Sequence, residues 1–429
     1  MKFHSIPSGL HTASFSEAIR GGLAPDKGLY FPTTMPQLPQ SAWLDGEDVT
    51  LASLATQLLA PFSDGFLSPK TLLELMEDAL DFPVELVGMP EWFGGCSVLE
   101  LFHGPTAAFK DVGARVMSRL LGALTTERLT VLVATSGDTG SAVAQGFLNV
   151  PNVDVVILYP SGRISEIQEL QLTTAGGNVT ALEVDGSFDD CQAMVKSAFV
   201  DLDLQSQRPL TSANSINIAR WMPQAVYYAY TVHLLGEAVD FVVPSGNFGN
   251  LAAGILASKM GMPSGRFIAA TNRNDVMPDY LTTGVFAPKP SVATRSNAMD
   301  VGDPSNRPRL EAMLGGTRGL QTGLMAEAVS EDATLAALAA IHDRTGTLVC
   351  PHTAVGLEVA QRMKQRGELG ERPVVVLATA HPGKFGDVVK EATGVTVPLP
   401  AVLTDVLGKT KQSIQIDPTD AALKAHLLR

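Results

Sequence analysis

Three stretches of the chain share one order of positions: a continuous β-branched apolar run, a turn rich in Gly, Ser and Thr, and a helical stretch of small residues. They read LTVLVATSGDTGSAVAQGF at 129–147, DFVVPSGNFGNLAAGILASKMG at 240–261 and RPVVVLATAHPGKFGDVVKEATG at 372–394. Apolar residues that run on without alternation mark strands covered on both faces, as in parallel sheets lying between helices. Further strands are predicted at VDVVILYP, 153–160, and RFIAATN, 266–272. The pattern predicts an α/β fold whose ligand groups sit where turns leave the carboxyl ends of strands.

Residues 1–85 have a different texture, with helical patches at Phe15–Arg20 and SPKTLLELMEDAL, 68–80, joined by Pro-rich links such as PTTMPQLPQ. A small, mainly helical amino-terminal domain is predicted there. The polar, Pro-rich stretch LTTGVFAPKPSVATRSNAMDVGDPSNRPR, 281–309, reads as a loop on the surface or over a site. A last helix, TDAALKAHLL, is expected to begin near Asp417 and Pro418. The division expected is 1–85, then 86–395 as two α/β subdomains with the smaller at about 112–210, then an extension at 396–429.

Composition narrows the partners. The 429 residues are 45% apolar, enough for large buried cores, and 31 Lys and Arg against 44 Asp and Glu leave a net charge of −13. A nucleic-acid surface is not expected, and partners should be small molecules or other subunits. Mean hydropathy is +0.15, yet the longest apolar strings are of strand length and bounded by Pro and Gly, so no membrane span is expected. The amino terminus lacks the apolar core of a signal segment, and the three cysteines, Cys96, Cys191 and Cys350, make no disulfide framework. A cytoplasmic enzyme is the expectation.

Three motifs could carry chemistry. SGNFGN, 245–250, lies between the run FVV and a helical stretch. Such a turn aims backbone N–H groups and a helix N-terminus at one point, and its two glycines remove side chains that would block an anion. It is read as a phosphate cradle or as an ordinary strand-to-helix turn. No Lys-Ser or Lys-Thr pair follows, the GKT at 408–410 lacks its first Gly, and the spacing is not that of a dinucleotide fingerprint.

SGDTG, 136–140, is the second. Ser136, Thr139 and free backbone amides suit a carboxylate, whereas Asp138 would repel one; a capping role is the other reading. The third is HGPTAAFKD, 103–111, where Lys110 precedes the periodic apolar positions Val112, Val116 and Leu120. A cation at a helix N-terminus among apolar neighbours has its pKa depressed, and a neutral amine is what Schiff-base chemistry needs. The other reading is a solvated lysine beside Asp111. Together the motifs offer a lysine, a phosphate cradle and a carboxylate site, which suits pyridoxal phosphate. No metal site is expected, because His103, His342, His352 and His381 lie in no HExxH spacing and are read as mainly structural.

At these residues the chain resembles the threonine synthases of the longer bacterial and fungal branch, pyridoxal-phosphate enzymes of the tryptophan synthase β-subunit fold type, also called fold type II. SFSEAIRGGLAPDKGLYFP, LELFHGPTAAFKDVGAR, ATSGDTGSAVA, SANSINIAR, VPSGNFGNLAAG, RFIAATNRND, SNAMD and ATAHPGKF carry the likeness along nearly the whole length. The resemblance implies parallel or mixed sheets covered by helices, with Lys110 holding pyridoxal 5'-phosphate as a Schiff base. It implies that Gly246, Asn247, Phe248, Gly249 and Asn250 hold the cofactor phosphate and that Thr379 meets the pyridine nitrogen. It further implies that Thr135, Ser136 and Thr139 bind the substrate carboxylate or phosphate, and that Asn214, Ser215 and Arg220 bind the phosphate of O-phospho-L-homoserine.

Asp138, which the resemblance also places among the cofactor-binding residues, stands where other fold relatives have an Asn that contacts the ring hydroxyl, and Asn250 stands where Asp is common in the family. The implied reaction is O-phospho-L-homoserine plus water to L-threonine plus phosphate, by γ-elimination and β-addition of water. A fold-type-II lyase such as a serine or threonine dehydratase is the alternative, and a nucleotide-binding oxidoreductase or a silent binding module stands outside the class. A monomer or homodimer is expected.

Overall fold

The computed structural model describes every residue except 47, 64 and 91–94. Its strands are β1 Lys2–Ile6, β2 Thr12–Ser14, β3 Leu29–Pro32, β4 Glu85–Gly88, β5 Ser97–Glu100, β6 Leu129–Ala134, β7 Val153–Pro160, β8 Val179–Val184, β9 Leu210–Thr211, β10 Val239–Pro244, β11 Ser264–Thr271, β12 Met325–Ala328, β13 Val374–Ala378 and β14 Ile414–Ile416. They form three sheets, ordered β2-β1-β3, β12-β11-β10-β13-β5-β4 and β14-β8-β7-β6-β9. The six-stranded sheet is parallel except for β4, and the five-stranded sheet is parallel throughout.

The unalternating runs are strands buried on both faces, as their pattern requires. Every residue of β6, β10 and β13 is buried. Each predicted unit has its helix as well: Asp138–Gly146 after β6, Gly249–Lys259 after β10, and Gly386–Thr393 after β13, the last preceded by the tight turn Pro382–Phe385. The helix Gly249–Lys259 is buried over most of its surface, so its small residues serve close packing; a Cβ on Gly254 would meet the rings of Tyr228 and Phe267 at 2.7 Å.

Four expectations need adjustment. The amino-terminal part is mainly helical, with Leu51–Ser63 and Pro69–Ala79 as its longer helices, but the antiparallel sheet of β1, β2 and β3 precedes them. These strands hold too few residues for a period-2 signal to stand out. The carboxyl-terminal extension is not only a helix, since β14 adds an edge to the five-stranded sheet beside β8. The last helix starts at Asp420, with Thr419 rather than Asp417 or Pro418 as its cap. The polar stretch 281–309 is not wholly superficial, because Ser296, Asn306 and Arg309 are completely buried.

Candidate active site

Topology explains why distant motifs meet. Although β13 comes late in the chain, it lies between β10 and β5 and runs parallel to both, so all three leave the sheet at one edge. The chain leaving β5 carries HGPTAAFK, that leaving β10 carries SGNFGN, and that leaving β13 carries Thr379. Ala108 bridges Ala380, and the Phe109 N–H donates to the Thr379 carbonyl at 2.9 Å, which ties the lysine segment to the turn after β13. A site at the carboxyl ends of parallel strands is the expected consequence of this order.

Lys110 opens the helix Lys110–Leu124. The turn before it is fixed by Asp111, whose carboxylate accepts from the Thr106 N–H at 2.9 Å and the Thr106 hydroxyl at 2.5 Å. Gly104 makes room for that carboxylate, since a Cβ there would sit 2.6 Å from Asp111 Oδ2. The Lys110 side chain is 16% exposed, and its Nζ lies 3.8 Å from Asp138 Oδ2. Burial lowers its pKa; Asp138 pulls the other way, while Lys384 and Arg220 add to the lowering. Asp138 itself is held well below the usual carboxylate range: burial opposes this, but Lys384, Lys110 and a hydrogen bond from Gln168 outweigh it.

Arg220 belongs to the short helix Ile218–Trp221 and is 3% exposed. It packs over Gly113, where any Cβ would collide with its guanidinium and its carbonyl. Among the described residues it makes no ion pair within 4 Å, its Nε has no partner, and burial holds its pKa down at about 10. A buried guanidinium in this state favours a nearby anion.

The SGNFGN turn has Phe248 in the left-handed region, with φ of 59°. Among the described residues the N–H groups of Gly246, Asn247, Phe248 and Gly249 have no backbone or side-chain acceptor, whereas Ser245 N–H is bound to the Ala270 carbonyl. Gly246 lies against Met299, and Gly249 against Ser215; a Cβ would meet them at 2.6 and 2.9 Å. Asn247 Oδ1 accepts from Ser305 N–H and hydroxyl, each at 2.7 Å, so its side chain anchors the 281–309 stretch. Asn250 Oδ1 accepts from the Tyr227 and Tyr228 hydroxyls at 2.6 and 2.7 Å, because two buried phenols need an acceptor there, while its buried Nδ2 has no partner among the described residues.

Just before the SGDTG turn, Thr135 Oγ1 accepts from the N–H groups of Gly137 and Gly140 at 3.0 and 2.8 Å, which holds the turn and engages a hydroxyl assigned to substrate. Ser136 and Thr139 are only partly buried, and no hydrogen bond engages either side chain among the described residues. Asn214 Nδ2 donates to the Ala134 carbonyl at 3.1 Å, and Ser215 Oγ accepts from Asn306 Nδ2 at 2.9 Å. Thr379 is 6% exposed, with its hydroxyl likewise unengaged.

Several site residues escaped the sequence reading. Lys384 lies 2.9 Å from Asp138 Oδ1, and Gln168 Nε2 donates to the same oxygen at 2.8 Å. Lys384 could have been found, since it sits in the turn of the third strand-turn-helix unit. Gln168, Asn306 and Arg309 carry no such signal. Apart from these groups, Glu85, Glu100 and His103 each place one ligand atom within 4.8 Å of the others, and His103 Nε2 pairs with Glu100 at 2.8 Å.

A buried lysine whose pKa burial lowers, a cradle of unengaged amides and parallel sheets with the site at their carboxyl edge define an enzyme dependent on pyridoxal phosphate. Residues 97–380 match the family described as pyridoxal-phosphate dependent enzyme, while 2–80 and 353–427 match the threonine synthase N terminus and C-terminal families. The chain is 41% identical to threonine synthase of Haemophilus influenzae over 438 residues, covering 100% of both. The crystal structure of threonine synthase from Escherichia coli superposes with a TM-score of 0.91 at 37% identity, covering 100% of this chain and 99% of that one. A PLP-bound threonine synthase from Brucella melitensis gives 0.90 at 36%, with the same coverage. The chain belongs to the threonine synthase family, and this supports the synthase reading over the dehydratase alternative. No helix among the described residues is long and apolar enough to cross a membrane.

Proposed function

We propose that this enzyme converts O-phospho-L-homoserine and water to L-threonine and phosphate, the closing reaction of threonine biosynthesis. The observation that carries the choice of substrate is Arg220, a buried guanidinium without an ion-pair partner among the described residues. It packs over Gly113, one turn along the helix that Lys110 opens, so the two side chains lie near the same end of that helix. A dehydratase has no second phosphate to bind and no need of such a cation.

The residues fit pyridoxal phosphate: the unengaged N–H groups of Gly246, Asn247, Phe248 and Gly249 would hold its phosphate, Lys110 its aldehyde carbon and Thr379 its ring nitrogen. When bound, the cofactor supplies an electron sink for carbanions next to the amino group. Lys110 is the base and acid of the site: burial lowers the pKa of its amine, which favours the form that takes a proton from carbon and returns it. Ser136 and Thr139, with the amides of their turn, bind the substrate carboxylate. Arg220 orients the substrate phosphate and stabilises it as it leaves, while Ser215 and Asn214 shape the wall beside it. Thr135 holds the turn through its hydroxyl, and the side chain of Asn250 ties the cradle to Tyr227 and Tyr228.

The regions 1–85, 86–395 and 396–429 are read as amino-terminal domain, catalytic region and extension. The enzyme is read as cytoplasmic, in keeping with three free, buried cysteines, and as a monomer or homodimer. The decisive assay compares phosphate release from O-phospho-L-homoserine with deamination of threonine by the purified enzyme. Release should dominate, and Lys110→Ala should abolish it together with the visible absorbance. Deamination as fast as phosphate release would defeat the substrate assignment.

A further inference from the structure

Lys384 is a second lysine in the site, completely buried in the turn Pro382–Phe385. Its ammonium donates to the Thr106 carbonyl at 2.8 Å and lies 2.9 Å from Asp138 Oδ1. The other oxygen of that carboxylate faces Lys110 at 3.8 Å. One buried acid therefore stands between two amines, in direct contact with one and at longer range from the other.

An acid placed beside Lys110 by itself would hold that amine protonated, which is the wrong state for a base. Ion-pair energy rises as distance falls, so the closer lysine takes the larger share of the carboxylate. We propose that Lys384 is the counter-ion of Asp138, and that by claiming this carboxylate it leaves Lys110 an uncharged amine. Lys384 is thus a positioning residue that acts through Asp138 and touches no reacting atom. The inference rests on Lys110 being the coenzyme lysine.

The surroundings agree. After burial, the charged groups that bear on Lys110 are Asp138, which favours its proton, and Lys384 and Arg220, which oppose it; burial raises the pKa of the nearby Cys350 thiol, which therefore carries no charge. His352 faces the same pair, and burial keeps its ring neutral, with a pKa of about 4. Asp111, on the same helix, is engaged with Thr106. Gln168 takes part of the charge on Asp138 Oδ1, but it is neutral and cannot replace Lys384.

The test uses three variants, Lys384→Met, Asp138→Asn and the two combined, each checked for folding by circular dichroism. Two midpoints are read: that of the Lys110 amine, from amine labelling in the full chain after removal of the coenzyme, and that of the same nitrogen joined to the coenzyme, from the visible absorbance of the holoenzyme against pH; both should move in the same direction. Lys384→Met should raise the midpoint by about one pH unit or more, because Asp138 is left facing Lys110 alone. Asp138→Asn should lower it, because Lys384 is then uncompensated. The combined variant should return to within about half a unit of the parent. A folded Lys384→Met protein with an unmoved or lowered midpoint overturns the proposal. Should that variant not fold, Lys384→Gln decides, read in the same two ways with Asp138 in place: an unmoved or lowered midpoint overturns the proposal equally. A parent protein without visible absorbance would instead unseat the coenzyme assignment, and the labelling would still read the amine.

Discussion

Arg309 donates from Nη1 to the Ser215 carbonyl at 2.6 Å and from Nη2 to the Ile216 carbonyl at 2.5 Å. Its Nη1 also reaches Asn306 Oδ1 at 2.6 Å, and its guanidinium stacks 4.6 Å from the Trp221 ring. A buried cation far along the chain thereby fixes the backbone of the turn that precedes Arg220. Arg309→Met should cost about 2 to 4 kcal/mol, because several carbonyls lose a buried donor at once. A lowered urea midpoint with an unchanged m-value is the expected record, together with a raised KM; an unshifted midpoint would refute the role.

Gly246 has no room for a side chain on the face that meets Met299. Its Cβ would stand 2.6 Å from a backbone atom, Met299 Cα, and 3.1 Å from the Ala298 carbonyl oxygen. Gly246→Ala should cost roughly 1 to 3 kcal/mol by overpacking and displace the segment around Met299. The coenzyme dissociation constant should rise measurably, as read by titrating the cofactor-free protein with pyridoxal phosphate. Equal affinity in both proteins would argue that the turn does not hold the phosphate.

Replacing Arg220 by Ala should separate substrate from coenzyme. Loss of a buried charge-assisted contact to phosphate is expected to cost about 3 kcal/mol of transition-state stabilisation, roughly two decades in kcat/KM. Visible absorbance and coenzyme affinity should change little. A variant with full kcat/KM would take Arg220 out of the substrate site.

Acid should destabilise the fold partly through His352, which is 2% exposed and accepts from the Ala298 N–H at its Nε2 at 3.2 Å. Burial lowers its pKa from 6.5 to about 4. Between those values the unfolded chain binds a proton that the native ring refuses, so stability falls as pH drops from about 6.5 and levels off below about 4. The full effect is about 3 kcal/mol. His381, likewise lowered to about 4 by burial, then by His103 and Lys384, adds in the same direction. In urea unfolding at pH 7 and pH 4.5, His352→Gln should show a smaller difference between the two than the parent; an equal difference would remove His352 from the account.

The uninterrupted apolar runs at β6, β7, β10 and β13 by themselves dictate buried parallel strands, since strands covered on both faces need not alternate. The glycines of SGNFGN and the apolar rows after Lys110 likewise announced a strand-to-helix cradle and a helix opening on a lysine, because turn chemistry and periodicity are local properties. Which of these would meet was not local. That β13 inserts between β10 and β5 and brings Thr379 beside Phe109 is decided by strand order. The pairing of Lys384 with Asp138, the hold of Arg309 on Ser215 and the contact of Asn250 with two tyrosines join residues 22 to 246 positions apart, and only packing of the whole chain sets such contacts. A buried polar group must find whichever partner the fold delivers, and sequence spacing carries no record of that choice.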